Sequence, residues 1–302
     1  MSLLTIPEGA VKRLWSLPAT AFRWAEGIAY SHDGALLAVA EYNGNAIALV
    51  SSEGIVGHIE GPRLCAPHDV AFSKGDHFLV VANRDNATVT VHERTGPRAY
   101  ADAPSVILSR ADWIGPTALS FEPSGDGLVV VDHNHSVTCL TMAGSVVWTL
   151  SGPDCGFSMP DGLTFSHDGE ILAVANNLSH EVTLHEKAGS GYRSLPFARL
   201  GGLRHPHSLV FTLGDGMLIV TNSGGPDITV FDRARDWQAV MKWPVCEYET
   251  FLEAHYAAYE ESGRKQACEG GAKGLALHGN QLAWSGPNIG LRVHELSFEE
   301  PA

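Results

Sequence analysis

A six-fold repeat of one strand–turn–strand phrase constrains this chain more than any other feature of its sequence. Each copy opens on a polar residue and a short apolar strand, then continues with a turn, a second apolar strand and a third strand. Successive copies start 42, 49, 44, 46 and 66 residues apart. All-strand repeats of about 40–50 residues are typical of β-propellers. The sequence therefore predicts an all-β fold, a six-bladed β-propeller whose copies begin at Glu26, His68, Thr117, Asp161, His207 and Lys273.

The way the ring closes is predicted from a missing strand. Short apolar runs, which suit strands covered on both faces by neighbouring blades, mark second strands at 36–40, 78–82, 128–131, 171–175, 217–221 and 282–284. The sixth copy runs out at Leu296 after three strands. We expect residues 10–17 to supply its outer strand, because a closed last blade leaves no open edge. The chain is then one propeller domain over residues 1–302.

Composition narrows the class of partner. A formal net charge of −14 argues against binding to nucleic acid or to an anionic membrane, since neither attracts an acidic surface. No run reaches 18 apolar residues, and the N-terminus lacks the basic and apolar regions of a signal peptide. We therefore expect a soluble, cytoplasmic protein that acts on a small molecule, with a protein partner as the alternative.

Two rings of polar residues are predicted at one end of the central channel, where first strands begin and antiparallel second strands end. The first ring holds the six starting residues named above, and the second reads Glu41, Asn83, Asp132, Asn176, Asn222 and Ser285. Carboxylates and imidazoles that converge on one axis make a divalent metal site: oxygen donors favour calcium, magnesium or manganese, and imidazoles favour zinc, iron or nickel. The alternative is a hydrated channel mouth, in which Asn at the end of a strand stabilises the following turn.

An insertion of about 246–271 separates the fifth copy from the sixth. Tyr248, Phe251, His255 and Tyr259 recur there at three- and four-residue steps, which predicts an amphipathic helix. The connection leaves on the face that carries both rings, so the helix is interpreted either as a lid or as a rim and dimer contact. Cys246 and Cys268 bracket it and would pair only in an oxidising compartment.

Two stretches resemble one known family. The phrase PDGLTFSHDG at 160–169 resembles the Pro-Asn-Gly-Leu-x-Phe-Ser-x-Asp-Gly phrase of the gluconolactonase/regucalcin family of six-bladed propellers, and Glu26-Gly27 resembles its opening Glu-Gly. The resemblance implies a divalent ion (calcium, manganese or zinc) at the channel mouth, held by Glu26, Asp161 and His207, and hydrolysis of a small lactone or ester. The chain departs from the family by carrying Asp161 in place of Asn and His207 in place of Asp.

On this hypothesis the remaining ring residues have assigned roles. Asp132 or His68 serves as the base, and Lys273 contacts an anionic substrate group or balances the acidic ring. The predicted substrate-binding residues are Thr117, Asn83, Asn176, Asn222 and Tyr256.

A second resemblance leads to a different activity. Pro67-His68 and Pro206-His207 resemble the Pro-His phrases of peptidyl-hydroxyglycine amidating lyase, a propeller of the NHL-repeat group, which implies a zinc lyase. A non-catalytic binding propeller is the further alternative, since one fold hosts many functions.

Overall fold

The repeat folds into six antiparallel sheets, here called blades, in a computed structural model that describes residues 11–125, 127–245 and 270–297. This confirms the all-β, six-bladed propeller. The chain enters through β1 (Val11–Leu17), and blade 1 follows with β2 (Ala25–Tyr30), β3 (Leu37–Glu41), β4 (Ala46–Ser51) and β5 (Gly54–Glu60). Blade 2 comprises β6 (Pro67–Phe72), β7 (Phe78–Asn83), β8 (Thr88–Gly96), β9 (Ala99–Tyr100) and β10 (Val106–Ser109).

The next two blades repeat this order. Blade 3 comprises β11 (Pro116–Phe121), β12 (Leu128–Asp132), β13 (Ser136–Leu140) and β14 (Val146–Ser151). Blade 4 comprises β15 (Pro160–Phe165), β16 (Ile171–Asn176), β17 (Glu181–Ala188), β18 (Gly191–Tyr192) and β19 (Ala198–Leu200).

The last two blades complete the ring. Blade 5 comprises β20 (Pro206–Phe211), β21 (Met217–Asn222), β22 (Asp227–Asp232) and β23 (Gln238–Pro244), and blade 6 comprises β24 (Leu275–His278), β25 (Gln281–Gly286) and β26 (Gly290–Leu296). β1 pairs antiparallel with β26, from Val11 opposite Leu296 to Leu17 opposite Leu291. Blade 6 is therefore built from both ends of the described chain. Single 3-10 turns occur at Ala19–Ala21, Tyr42–Gly44, Lys74–Asp76, Pro153–Cys155 and Arg233–Arg235.

The hydrophobic core lies between blades, as continuous apolar strands require. In the described residues each of six buried clusters joins two successive blades. The cluster that closes the ring packs Ala283 and Val293 of blade 6 against Ile28 and Val39 of blade 1. Because each strand is covered on both faces, the apolar run is unbroken along the middle of the blade and stops at the polar rims.

Two imidazole–carboxylate clamps tie neighbouring blades on the face opposite the rings. The Asp76 carboxylate of blade 2 accepts from the backbone N–H of His32 in blade 1, and His32 Nδ1 lies 3.0 Å from Asp76 Oδ1. Asp215 of blade 5 holds His167 of blade 4 in the same way, with Nδ1 2.7 Å from Oδ1. Each clamp pins the β-turn of one blade to the turn of the next.

His294 makes the folded state sensitive to acid. Its ring stacks on Trp284 with centroids 4.1 Å apart, and Nδ1 is buried without a hydrogen-bond partner among the described residues. Burial, with added repulsion from Arg13 and Arg292, lowers the pKa of His294 to about 4. Between about pH 6.5 and 4 the unfolded chain therefore binds more protons at this site, so stability falls as the pH falls.

We predict that His294→Phe reduces the loss of stability between pH 7 and pH 4.5. The reduction should be on the order of 1 kcal/mol, after discounting for the partial exposure of the ring. Urea unfolding at the two pH values measures it. His77→Gln, which removes an exposed imidazole, is the control, and an equal acid sensitivity in both variants and the parent would contradict the assignment.

Three features predicted from the sequence lie outside the described residues: the helical insertion, Tyr256 within it, and the pairing of Cys246 with Cys268. Among the described residues, no helix has the length and apolar character needed to cross a bilayer.

Candidate functional site: a buried Glu–His–His cluster on the propeller axis

The first ring is placed by an irregularity at the start of each inner strand. In blades 1 to 5 the pairing register with the second strand shifts at or directly after the ring residue, as at Asp161 between Pro160 and Gly162. A β-bulge re-aims the side chain of its extra residue and is common beside functional sites. All six ring residues are buried, with 4% exposure or less. In blades 1 to 5 the bulges thus direct the polar side chain to the interior of the ring.

The turn that leads into three of these inner strands is hydrogen-bonded to the preceding blade. Ala66, Met159 and His205 each lie two residues before a ring residue and adopt positive φ values of 47–49°. Their backbone N–H groups donate to side chains of the preceding blade at Asn45, His135 and His180. A left-handed turn at a residue other than glycine is strained, so these inter-blade bonds stabilise the conformation that delivers the ring residues.

Three ring residues converge. One ligand atom from each of Glu26, His68 and His207 lies within 4.8 Å of the others. The two imidazoles stack with centroids 5.0 Å apart, and His207 Nε2 lies 3.5 Å from Glu26 Oε2. The structure therefore groups Glu26 and His207 with His68, whereas the family resemblance had grouped them with Asp161.

Glu26 is oriented by two donors on a single oxygen. Lys273 Nζ donates to Oε1 at 2.7 Å and Trp24 Nε1 donates to the same atom at 2.8 Å. Lys273 is fully buried. Its backbone N–H donates to the Ser285 carbonyl, and Ser285 N–H donates to the Gly274 carbonyl, which fixes Lys273 two residues ahead of β24. The ammonium is thus paired with Glu26, and both roles expected for Lys273, charge balance and substrate contact, remain predictions.

His68 has a fixed orientation. Its Nδ1 lies 2.7 Å from the carbonyl oxygen of Thr117, so Nδ1 carries the proton and Nε2 keeps its lone pair. Burial, and then the neighbouring His207, lower the pKa of His68 well below its ordinary value. A neutral imidazole with one nitrogen bonded to a carbonyl is the usual state of a metal ligand.

Two further predicted site residues, Asp161 and Asp132, form hydrogen bonds with groups outside the cluster. Asp161 Oδ1 lies 2.9 Å from His133 Nε2, and the Asp132 carboxylate accepts from the backbone N–H groups of Ile114, Gly115 and Asn134. Asp132 therefore holds the loop that enters its own blade, an arrangement that gives no support to its role as a base.

The Asn residues of the second ring make the same bonds in three blades. Each side-chain oxygen accepts from a backbone N–H ahead of the first strand, and each amide nitrogen donates to a Thr hydroxyl on the third strand. The donors to oxygen are Cys65, Ser158 and Arg204, and the hydroxyls belong to Thr90, Thr183 and Thr229. This is the turn-stabilising role considered above, and substrate binding by Asn83, Asn176 and Asn222 remains a prediction. Thr117 likewise donates to the carbonyl of Pro160 at 2.8 Å.

Asp69 is a buried channel residue that the sequence reasoning missed. It follows His68 directly, its Oδ2 accepts from Leu119 N–H at 3.0 Å, and burial raises its pKa to about 7. With His68, Thr117, Asp161 and His207 it lines a cavity of about 20 Å³, which is room for about one water molecule. The signal available in the sequence was its position directly after the ring residue His68. Its contact with Gly27 of blade 1 is seen only in the structure.

Comparison with known proteins supports the fold. No protein-family model matches the chain. Among solved structures, the chain is similar to the β-propeller domain of Cps50 (Swd1) from Myceliophteria thermophila, with a TM-score of 0.61 and 11% sequence identity over 95% of this chain and 100% of that one. At this identity the likeness shows that the chain shares the β-propeller fold, and the chemistry has to be argued from the Glu–His–His cluster.

Proposed function

We propose that the protein is a metal-dependent hydrolase of a small lactone or ester, with a divalent transition-metal ion held by Glu26, His68 and His207. The observation that carries the proposal is the convergence of three ligand atoms from three different blades within 4.8 Å. Two imidazoles and one carboxylate form the ligand set of many catalytic zinc sites and of non-haem iron sites. This donor set favours zinc-like ions over calcium.

The spacing of the donors supports the same conclusion. A tetrahedral ion with bonds of about 2.0–2.1 Å keeps its ligand atoms roughly 3.3 Å apart. Glu26 Oε2 and His207 Nε2 are 3.5 Å apart, close to that edge and longer than an ordinary hydrogen bond of about 2.7–3.2 Å. This pair therefore matches one edge of a tetrahedral site, and the His68 nitrogen lies within 4.8 Å of both.

The chain's own residues have separate tasks in such a reaction. A bound ion would polarise the substrate carbonyl and lower the pKa of a water molecule. The Thr117 carbonyl keeps His68 in the tautomer that presents Nε2. The Asp161 carboxylate and the His133 imidazole form a pair next to the cluster. We assign to this pair the role of accepting the proton that water releases when it attacks the substrate.

Zinc is expected to stabilise the purified protein. After removal of metal, a zinc concentration of 100 times the dissociation constant should add about 2.7 kcal/mol of stability, measured as a rise in melting temperature, and metal analysis of protein purified without chelator should find the ion. Hydrolysis of a panel of small lactones and esters should be lost on chelation and restored by zinc.

The control separates the cluster from other buried imidazoles. His207→Gln should abolish the zinc-dependent shift, whereas His185→Gln should retain it. His185 is also buried, but its ring bonds to the Thr183 hydroxyl and the Arg193 carbonyl within blade 4. Absence of any metal-dependent shift in the parent protein would overturn the proposal.

A non-catalytic binding propeller is the second candidate, and one observation favours it. The ammonium of Lys273 already neutralises Glu26, so the cluster holds a balanced charge without an ion. A protein that neither binds metal nor hydrolyses any substrate of the panel, yet folds normally, would select this function.

A further inference from the structure

We infer that Lys273 and Trp24 are positioning residues that set the class of metal, by holding Glu26 as a one-oxygen ligand. The site then takes zinc-like ions of low coordination number and rejects calcium and magnesium. This inference rests on the proposed metal site, and it concerns residues that are not themselves ligands.

The geometry divides the two carboxylate oxygens between two tasks. Oε1 accepts both from Lys273 Nζ at 2.7 Å and from Trp24 Nε1 at 2.8 Å, whereas Oε2 is directed to His207 Nε2 at 3.5 Å. Glu26, Lys273 and Trp24 are 1%, 0% and 9% exposed. With these donors in place, Glu26 offers an ion Oε2 and keeps Oε1 for the protein.

Binding of an ion through both carboxylate oxygens of Glu26 would disrupt the ion pair with Lys273. For an ion to bind Glu26 through Oε1 and Oε2 together, the Lys273 ammonium and the Trp24 indole must give up their bonds to Oε1, and breaking the contact of a buried ion pair is strongly unfavourable. Calcium takes about six to eight oxygen ligands, often with bidentate carboxylates. The ion pair therefore works directly against the coordination that calcium requires.

Charge adds a second barrier. Lys273 offsets the charge of Glu26, and the other two ligands are imidazoles, so the three ligands bring an incoming dication less negative charge than a carboxylate without such a cation would. Hard cations bind mainly through charged oxygen ligands, whereas zinc-like ions bind well to imidazole nitrogen. The pair thus lowers the affinity for calcium more than the affinity for zinc.

The test measures zinc and calcium binding by titration calorimetry on metal-free protein, for the parent, Lys273→Met and Trp24→Phe. In the parent we expect zinc to bind far more tightly than calcium. In Lys273→Met the ratio of zinc affinity to calcium affinity should fall by at least about 10-fold, and in Trp24→Phe by less, because the ammonium remains. Lys74→Met, at an exposed lysine, is the control and should keep the parent's ratio.

A spectroscopic measurement on the parent keeps the inference testable if Lys273→Met fails to fold. Cobalt(II) bound with four or five ligands gives intense visible bands, and six-coordinate cobalt(II) gives weak ones. A one-oxygen Glu26 predicts the intense spectrum, and a weak six-coordinate spectrum would overturn the inference.

The possible outcomes distinguish failure of this inference from failure of the proposed metal site. A parent protein that binds neither zinc nor cobalt defeats the metal site itself. A parent that binds zinc, with an unchanged zinc-to-calcium ratio in Lys273→Met, defeats only the role given to Lys273 and Trp24.

Discussion

Replacing Glu26 by Gln will lower the stability of the metal-free protein by roughly 3–5 kcal/mol, although the two side chains have the same shape and the same number of heavy atoms. The carboxylate is the 2.7 Å partner of a fully buried ammonium, and breaking a buried pair by neutralising one member leaves the other charge uncompensated. Guanidinium unfolding of metal-free protein measures the loss. The same variant should also lose zinc binding, since a neutral amide replaces an anionic ligand.

A double-variant cycle tests the cause. Lys273→Met alone should cost a similar amount, but Glu26→Gln combined with Lys273→Met should cost far less than the sum, because the pair is then removed together. Strictly additive losses would show that the two charges do not stabilise one another, and a loss below about 1 kcal/mol for Glu26→Gln would mean that the ammonium finds another partner.

Gly162→Ala is expected to be the most damaging single-methyl change in the described part of the inner ring. A Cβ at this position would overlap the backbone carbonyl oxygen of His207 and approach the Leu209 side chain. Backbone cannot turn aside as a flexible side chain can, so the inner strands of blades 4 and 5 must separate. We expect a loss of about 3 kcal/mol or more, measured by thermal or guanidinium unfolding, together with loss of metal binding through the displaced His207.

A matched glycine provides the comparison. Gly201 lies on an exposed loop just before blade 5, and an added Cβ there meets nothing within 4 Å. Gly201→Ala should change stability by no more than about 0.5 kcal/mol. Equal effects at the two positions would show that the close approach of β15 and β20 does not limit the fold.

The blades could be predicted from the sequence because each apolar run is covered on both faces. The second strands predicted at 171–175 and 217–221 are observed as Ile171–Asn176 and Met217–Asn222. Each observed strand is one residue longer than predicted, and the added residue is the polar Asn that pairs at the rim. The number of blades follows directly from the number of copies. Nothing in the apolar pattern, however, marks the two-residue strands β9 and β18, which pair antiparallel with the ends of the long third strands β8 and β17.

The site could be predicted only as a ring. Counting repeats places Glu26, His68 and His207 at equivalent positions in their blades. It predicts that all six ring side chains point toward the channel, so it cannot tell which of them come into contact. Which of them meet is decided by the bulges and by contacts across the closing seam, such as the bond of Lys273 to Glu26 over 247 residues of sequence. The resemblance to a metal-binding family selected Asp161 by its motif, whereas His133, a residue outside the ring, holds that carboxylate.

The two clamps on the far face carry a consequence for the symmetry of the whole molecule. His32–Asp76 joins blades 1 and 2, and His167–Asp215 joins blades 4 and 5, which lie three blades further on, half a turn of a six-bladed ring. The ring residues repeat after the same half-turn. An acidic residue and then a histidine occupy the first two blades of each half: Glu26 and His68 in blades 1 and 2, and Asp161 and His207 in blades 4 and 5.

The propeller therefore reads as two three-blade halves related by a pseudo-dyad along its channel, and the symmetry fails at the third member of each half. Thr117 donates its hydroxyl to the backbone carbonyl just before Asp161, whereas Lys273 donates its ammonium to the Glu26 carboxylate itself. The exchange of a neutral donor for a charged one is thus one difference between the two half-sites, and it falls in the half that contributes Glu26 to the Glu–His–His cluster.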